Sequence, residues 1–263
     1  MTTLDEHLQK SVSGATLEIG DDWTQGRTTF GGLSAALTLA AIDRQAADMP
    51  LRSLSVNFCA PLFAGQPCEP QVRLLRAGKS VAHYVGELHQ NGTCCTLVTA
   101  CYGASRESDV VIPAEPHPTG EPGEGMPIPF KEGITPSFIQ HVDLRYQEGL
   151  PYTGSRGKVV NGWMRFKAGD YAMNATHLVA LIDVWPPAIL QLLTAPAPAA
   201  TVSWQLDLVH PTEGLRREHW LHYEAVIREA HGGYGHTEAR ICREDGTVLA
   251  LSRQLVTVFD KRG

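Results

Sequence analysis

The residue in this chain most suited to chemistry is Asp183. It is the only acid in residues 174–193, NATHLVALIDVWPPAILQLL, an apolar run of helix length. An isolated charge is costly to bury, so a carboxylate placed here is paired, hydrogen-bonded or functional. Desolvation by apolar neighbours raises its pKa, which suits a general base working near neutral pH. Pro186 and Pro187 follow at once, and the residue before a proline is pushed out of helical geometry. Asp183 therefore falls where the helix ends or bends. Two readings follow: an active-site acid, or an aspartate that satisfies backbone groups freed beside the two prolines. We take the first.

The other constellations are weaker. Gly32-Leu-Ser34-Ala-Ala36 half matches the GxSxG turn of a serine hydrolase, but the second Gly is missing and no strand leads into it. His219 and His222 fall on opposite faces of a strand. His231 and His236 flank the turn GGYG with no third ligand at a suitable spacing, so no metal is expected. GGYG itself reads as a flexible strand connection, because no helix follows to make it a phosphate cradle. Cys94 and Cys95 put one thiol on each face of a strand. Trp163, Trp185, Trp204 and Trp220 belong either to the core or to a substrate channel. No cofactor is implied.

The net charge of −6, without any basic run, argues against nucleic acid as a partner. No stretch reaches the roughly 20 apolar residues needed to cross a bilayer. The polar start, MTTLDEHLQKSVSG, lacks the basic-then-apolar pattern of a secretion signal. Six cysteines without CxxC spacing read as reduced thiols, so a cytoplasmic location is expected.

Two sets of elements are needed to hold Asp183 in place. Residues 16–26 open with a short strand, and Thr28 and Thr29 are placed to cap a helix from Phe30 to about Ala47. LRSLSVNFCAPL then alternates, with Leu54, Val56 and Phe58 on one face. PQVRLLRAG, SVAHYVGELHQ and TCCTLVTACYG complete an antiparallel set, the last two joined at Asn91-Gly92. Residues 111–136 turn Pro- and Gly-rich and read as a surface linker without regular structure. After it the order recurs. HVDLRYQ and GKVVNGWMRFK precede the helix of residues 174–193. TVSWQLDLVH, HWLHYEAVIREA, GYGHTEARICRE and TVLALSRQLVTVF follow it.

The copies keep register. Val72 and Val226, Gly78 and Gly232, and Asn91 and Asp245 are each 154 apart, a duplication signal. The expected fold is α+β, a tandem or double hotdog, each half a long helix wrapped by an antiparallel sheet. Its boundaries are 1–110, the linker 111–136, and 137–263, the last carrying Asp183.

With this order of elements the chain resembles the TesB-like, type II acyl-CoA thioesterases. The likeness runs over nearly its whole length. It rests on TTFGGLSAALTLAAI, LRSLSVNFCAPLFAGQP and VRLLRAGKSVAHYVGELHQNG, then on LVALIDVWPPAI, ATVSWQLDLVH and GTVLALSRQLVTVF. The resemblance implies thioester hydrolysis by a water held by an Asp, a Thr or Ser, and a Gln. The Asp is Asp183 and the Gln is Gln254, in VLALSRQLV. The hydroxyl belongs to TVSWQLDLV, where Thr201, Ser203, Gln205 and Asp207 are expected on one face; Thr201 is the first choice and Ser203 the second. Gly31 and Gly32, opening the first helix, offer backbone N–H groups to the substrate. Shifting Gln254 back by 154 lands on Ala100, so only one half carries the trio.

The implied partner is a small-molecule acyl-CoA, with further pairing into dimers or tetramers. Which cation meets the CoA phosphates stays open among Arg52, Arg73, Arg76 and Lys79. Two rivals are a non-catalytic acyl-CoA-binding module and an enoyl-CoA hydratase. The second needs His177 to work with Asp183, six residues away and on a different helix face.

Overall fold

A computed structural model describes residues 2–46, 49–112, 115–167 and 171–261. The polar start forms a helix, α1 (Leu4–Ser13), which the sequence reading leaves unassigned. Thr3 and Glu6 close a capping box on it and Gly14, at φ +72°, ends it. Its buried side, Leu4, His7, Leu8 and Ser11, packs on the next helix, and Ser11 Oγ donates to Leu37 O at 2.7 Å.

β1 (Leu17–Glu18) follows, then β2 (Thr24–Gln25) and β3 (Thr28–Thr29), which pair as a small hairpin. Thr28 and Thr29 are thus strand residues rather than caps. α2 (Gly31–Asp43) begins after Phe30 with no side-chain cap; the expected end at Ala47 lies outside the described residues. α2 is buried from Gly32 to Ile42, each large aliphatic side chain contributing about 1.5–3 kcal/mol.

β4 (Leu51–Phe58), β5 (Pro67–Ala77), β6 (Val81–Gln90) and β7 (Thr93–Gly103) come next. The linker is not wholly irregular: β8 (Met126–Pro127) pairs with β9 (Val142–Glu148); Pro113 and Ala114 lie outside the described residues. β10 (Val159–Phe166), α3 (Ala175–Ile182), β11 (Ala199–Leu208), β12 (Leu221–His231), β13 (Tyr234–Cys242) and β14 (Val248–Val258) complete the chain.

Twelve strands form one sheet in the order β1-β5-β6-β7-β4-β11-β14-β13-β12-β10-β9-β8. The halves join where β4 pairs antiparallel with β11, Gln205 opposite Ser55. α2 packs on β5, β6 and β7, α3 packs on β10, and the two helices touch. Gly32 permits that contact: a Cβ there would lie 2.7 Å from Ala180 O and 2.5 Å from the Phe30 ring.

The duplication extends to the irregularities of the sheet. Bulges at Leu51/Ser53, Leu74/Arg76 and Leu88/His89 recur at Thr201/Ser203, Ile227/Glu229 and Ile241/Cys242. β5 and β6 therefore map onto β12 and β13 with a shift of 153, one less than the sequence offset, so Val72 corresponds to Ala225 rather than Val226. β7 maps onto β14 at 154. Tyr84 pairs with Ala100, and its counterpart Thr237 pairs with Gln254. Ala100 does occupy the place of Gln254.

Candidate active site

α3 is much shorter than the helix expected over residues 174–193. Asn174 caps it, accepting from His177 N at 3.2 Å. The helix ends at Ile182 with Asp183 as its C-cap, and after the two prolines only a 3-10 turn, Ala188–Leu192, remains. The proline pair breaks the run by removing N–H donors and excluding helical geometry before it. As a result Asp183 sits at a helix end rather than inside one.

The Asp183 carboxylate reaches across to the other half. The uncapped start of α2 leaves first-turn N–H groups without intrahelical acceptors, and Gly32 N–H donates to Asp183. Gly31 leaves room beside it: a Cβ there would lie 2.8 Å from Asp183 Oδ2. From β14, Gln254 Nε2 donates to Asp183 Oδ1 at 3.1 Å. Burial pushes the carboxyl up to about 7, against the pull of these two hydrogen bonds. The backbone groups that Asp183 satisfies thus belong to α2 and not to its own proline-broken segment.

A cavity of about 360 Å³ opens at this point, within the range of small-molecule sites. Asp183, Thr201, Ser34, Thr96 and Gly31 supply its polar wall; Phe58, Leu62, Trp185 and Pro187 supply its apolar wall. The β2–β3 hairpin adds Gln25, Thr28 and Thr29.

The bulge in β11 separates the two hydroxyl candidates. Thr201 pairs with Val256 and Ser203 with the adjacent Leu255, so Thr201 and Ser203 point to opposite faces. Val256, like Ser252, is on the buried face, and Gln254 falls in the same alternation. The expected common face of Thr201 and Ser203 is therefore wrong. Thr201 lines the cavity and Ser203 does not. Gly31 lines it as well, whereas Gly32 gives its N–H to Asp183 and not to the cavity. Gln254 holds the carboxylate without forming part of the cavity wall.

Sequence spacing does not reveal the Ser34–Thr96 pair. Thr96 Oγ1 lies 3.1 Å from Ser34 Oγ, which donates to Gly31 O at 2.9 Å. No local pattern links a helix serine to a strand threonine 62 residues away. Among the tryptophans, Trp185 joins the cavity wall and stacks on Tyr223 with centroids 5.0 Å apart. Trp163 and Trp204 are core, and Trp220 lies under Arg145 and Arg165 instead. His219 precedes β12 and takes no part in it. Asp43, the acid of the first helix, is buried against the Tyr102 hydroxyl, outside the cavity wall. Arg52 is bonded to Gly103 O and Ser105, and Arg52, Arg73, Arg76 and Lys79 are all absent from the cavity wall.

Two helix-and-sheet units joined edge to edge, with an acid from one meeting the helix start of the other, make a double hotdog. Residues 113–258 match the acyl-CoA thioesterase C-terminal domain and residues 19–103 the acyl-CoA thioesterase N-terminal domain. The chain belongs to the acyl-CoA thioesterase family and is a thioester hydrolase. No curated protein matches it in sequence.

Solved structures share the fold at low identity. A hot dog fold protein of unknown function from Alicyclobacillus acidocaldarius aligns with TM-score 0.82 at 23% identity, over 94% of this chain and 93% of that one. The acyl-CoA thioesterase II TesB2 of Mycobacterium marinum gives 0.70 at 17%, over 97% and 98%. The tesB protein of Mycobacterium avium subs paratuberculosis gives 0.74 at 14%, over 98% and 100%. Among the described residues no helix is long and apolar enough to cross a membrane.

Proposed function

We propose that the chain hydrolyses acyl-CoA thioesters to free acid and CoA, using a water held between Asp183 and Thr201 with Gln254 fixing the carboxylate. One observation carries this reading: a half-buried carboxylate at the cavity wall, raised to about 7 and held from two sides, by Gln254 and Gly32 N–H. A base with a pKa of about 7 is about half deprotonated at pH 7 and takes a proton readily, which matches it to work near neutral pH. Thr201 offers a donor and acceptor without charge.

Attack of the water on the thioester carbon transfers its proton to Asp183. The tetrahedral intermediate carries an oxyanion, and the N-terminal turn of α2 beside Gly31, which lines the cavity, offers backbone donors and a positive dipole end to it. Collapse breaks the carbon–sulfur bond, and protonated Asp183 returns its proton to the leaving thiolate. The apolar wall of Phe58, Leu62, Trp185 and Pro187 suits an acyl chain. Six free thiols fit a reducing, cytoplasmic setting, and edge strands β1 and β8 leave room for dimers or tetramers.

The hydratase reading loses its second group. His177 is turned onto Asp5 Oδ1 at 2.9 Å and Asn174 Oδ1 at 2.6 Å, at the opposite end of α3 from Asp183. The binding-module reading predicts no turnover. Free-thiol release across short, medium, long and aromatic CoA esters separates the readings. Release from at least one class supports hydrolysis. Silence across the panel with tight ester binding favours the binding module, and hydration of an enoyl-CoA favours the hydratase.

A further inference from the structure

Next to the cavity, a second cluster of chemistry-bearing side chains gathers on the other face of the sheet. Glu87 and His89 are two apart on β6 and share a face. The bulge at Leu88/His89 sets Cys94 of β7 opposite His89. His89 Nε2 lies 2.6 Å from Glu87 Oε2, and one donor atom from each of Glu87, His89 and Cys94 lies within 4.8 Å of the others. Cys59 follows β4, is held by its N–H on Cys95 O at 2.8 Å, and brings its thiol against that of Cys94. Cys95, the extra residue in the bulge, is buried on the inner side.

We infer that Glu87, His89 and Cys94, with Cys59 as fourth donor, form a binding site for a zinc-like divalent cation. The donor set is the argument. Thiolate and imidazole together select borderline-soft ions of the zinc type, and a carboxylate is an accepted further ligand. Bonds of about 2.0–2.3 Å place tetrahedral donors about 3.5 Å apart. Glu87, His89 and Cys94 are half-buried and Cys59 is exposed. To ligate, Glu87 and His89 give up their 2.6 Å contact and open apart, and Cys59, which stands outside the three-residue group, swings in from its contact with Asn57 O. Binding displaces the thiol protons, so affinity rises with pH.

Four protein donors leave no open position, which makes the site structural rather than catalytic. Cys59 also lines the substrate cavity. A bound ion therefore ties the wall of residues 58–62 to the β6–β7 hairpin, and so fixes one side of the acyl pocket from outside it. No sequence spacing announces such a site, because its donors come from β6, β7 and the segment after β4.

Chelator-stripped protein, kept reduced by a phosphine, is titrated with Co2+ and then Zn2+, with Mg2+ as a hard-ion control. One Co2+ per chain is expected, with thiolate-to-cobalt charge-transfer absorption that Zn2+ abolishes and Mg2+ does not reproduce. Cys94→Ser and His89→Ala should each weaken binding by more than about tenfold, with circular dichroism showing both still folded. Cys59→Ser should lower the absorption by about half. Co2+ binding unchanged in the Cys94→Ser/His89→Ala double variant, or no stoichiometric binding by the reduced wild type, overturns the site. Full absorption in Cys59→Ser overturns the four-donor assignment. A Cys59–Cys94 disulfide that forms equally fast with and without Zn2+ counts against it as well.

Discussion

Gln254 reaches from β14 to donate its side-chain amide to Asp183 Oδ1 at 3.1 Å, joining two residues 71 positions apart. That donor stabilises the carboxylate and opposes the upward push of burial. Gln254→Ala should therefore raise the Asp183 pKa above its value of about 7. The acidic limb of the kcat/KM profile should move to higher pH, and activity at pH 7 should fall about tenfold or more. A pH–rate profile checks this; an unmoved limb would show that Gln254 does not act through the acid.

Asp183 also couples the site to stability. Its folded pKa of about 7 exceeds the ordinary 3.8, so the folded state holds that proton more tightly than the unfolded one. The resulting stabilisation is present below about pH 4 and is lost as pH rises through 7, where a buried anion is left. Asp183→Asn should match the wild type near pH 4. Above pH 7 it should be more stable by about 2 kcal/mol, allowing for partial solvent access, or about 5 °C in Tm. Melting curves at the two pH values test the sign; a variant less stable at pH 8 would contradict the raised pKa.

The β11 bulge makes a sharper contrast. Thr201 faces the cavity and Ser203 the outer side. Thr201→Val should lower kcat/KM by about 100-fold. Ser203→Ala should change it by less than about twofold, as a surface substitution does. Steady-state kinetics on one good CoA ester decide between them, and the reverse ranking would reassign the hydroxyl.

Gly32 serves both packing and catalysis. A Cβ there would lie 2.7 Å from Ala180 O, forcing α2 and α3 apart. Gly32→Ala should cost about 1–3 kcal/mol and lower activity together with Tm, since Gly32 N–H leaves Asp183. Chemical denaturation with parallel assays checks both. An unaffected Tm would mean that the helices do not need this close approach.

The sequence carries much of this arrangement, because strands betray themselves by alternation and by turn residues. Asn91 and Gly92 adopt φ +51° and +75°, as a tight hairpin turn requires. The duplication is legible because insertion into a paired strand is costly, so β5 to β7 drift by only one residue against β12 to β14, whereas β4 and β11, which stand on the far side of loops, differ by four. Bulges leave no such mark. One extra residue at Val202 reverses every later side chain of β11, and alternation alone cannot show where it falls. The length of α3 is not legible, because apolar content continues past Ile182 while its geometry does not. α1 was legible from Thr3, Glu6 and Gly14, but its polar surface hides the buried stripe. Asp183 could be singled out by its apolar setting. The hydroxyls of Ser34 and Thr96, which share its cavity wall, arrive through tertiary packing, which no local pattern encodes.

The central claim is that Asp183 activates the water. Single-turnover hydrolysis by wild type and Asp183→Asn, with enzyme in saturating excess over the CoA ester at pH 8, tests it most directly. The account predicts a fall of about 10²–10⁴-fold in the hydrolytic step with ester binding little changed. An Asp183→Asn enzyme that turns over at close to the wild-type rate would contradict it.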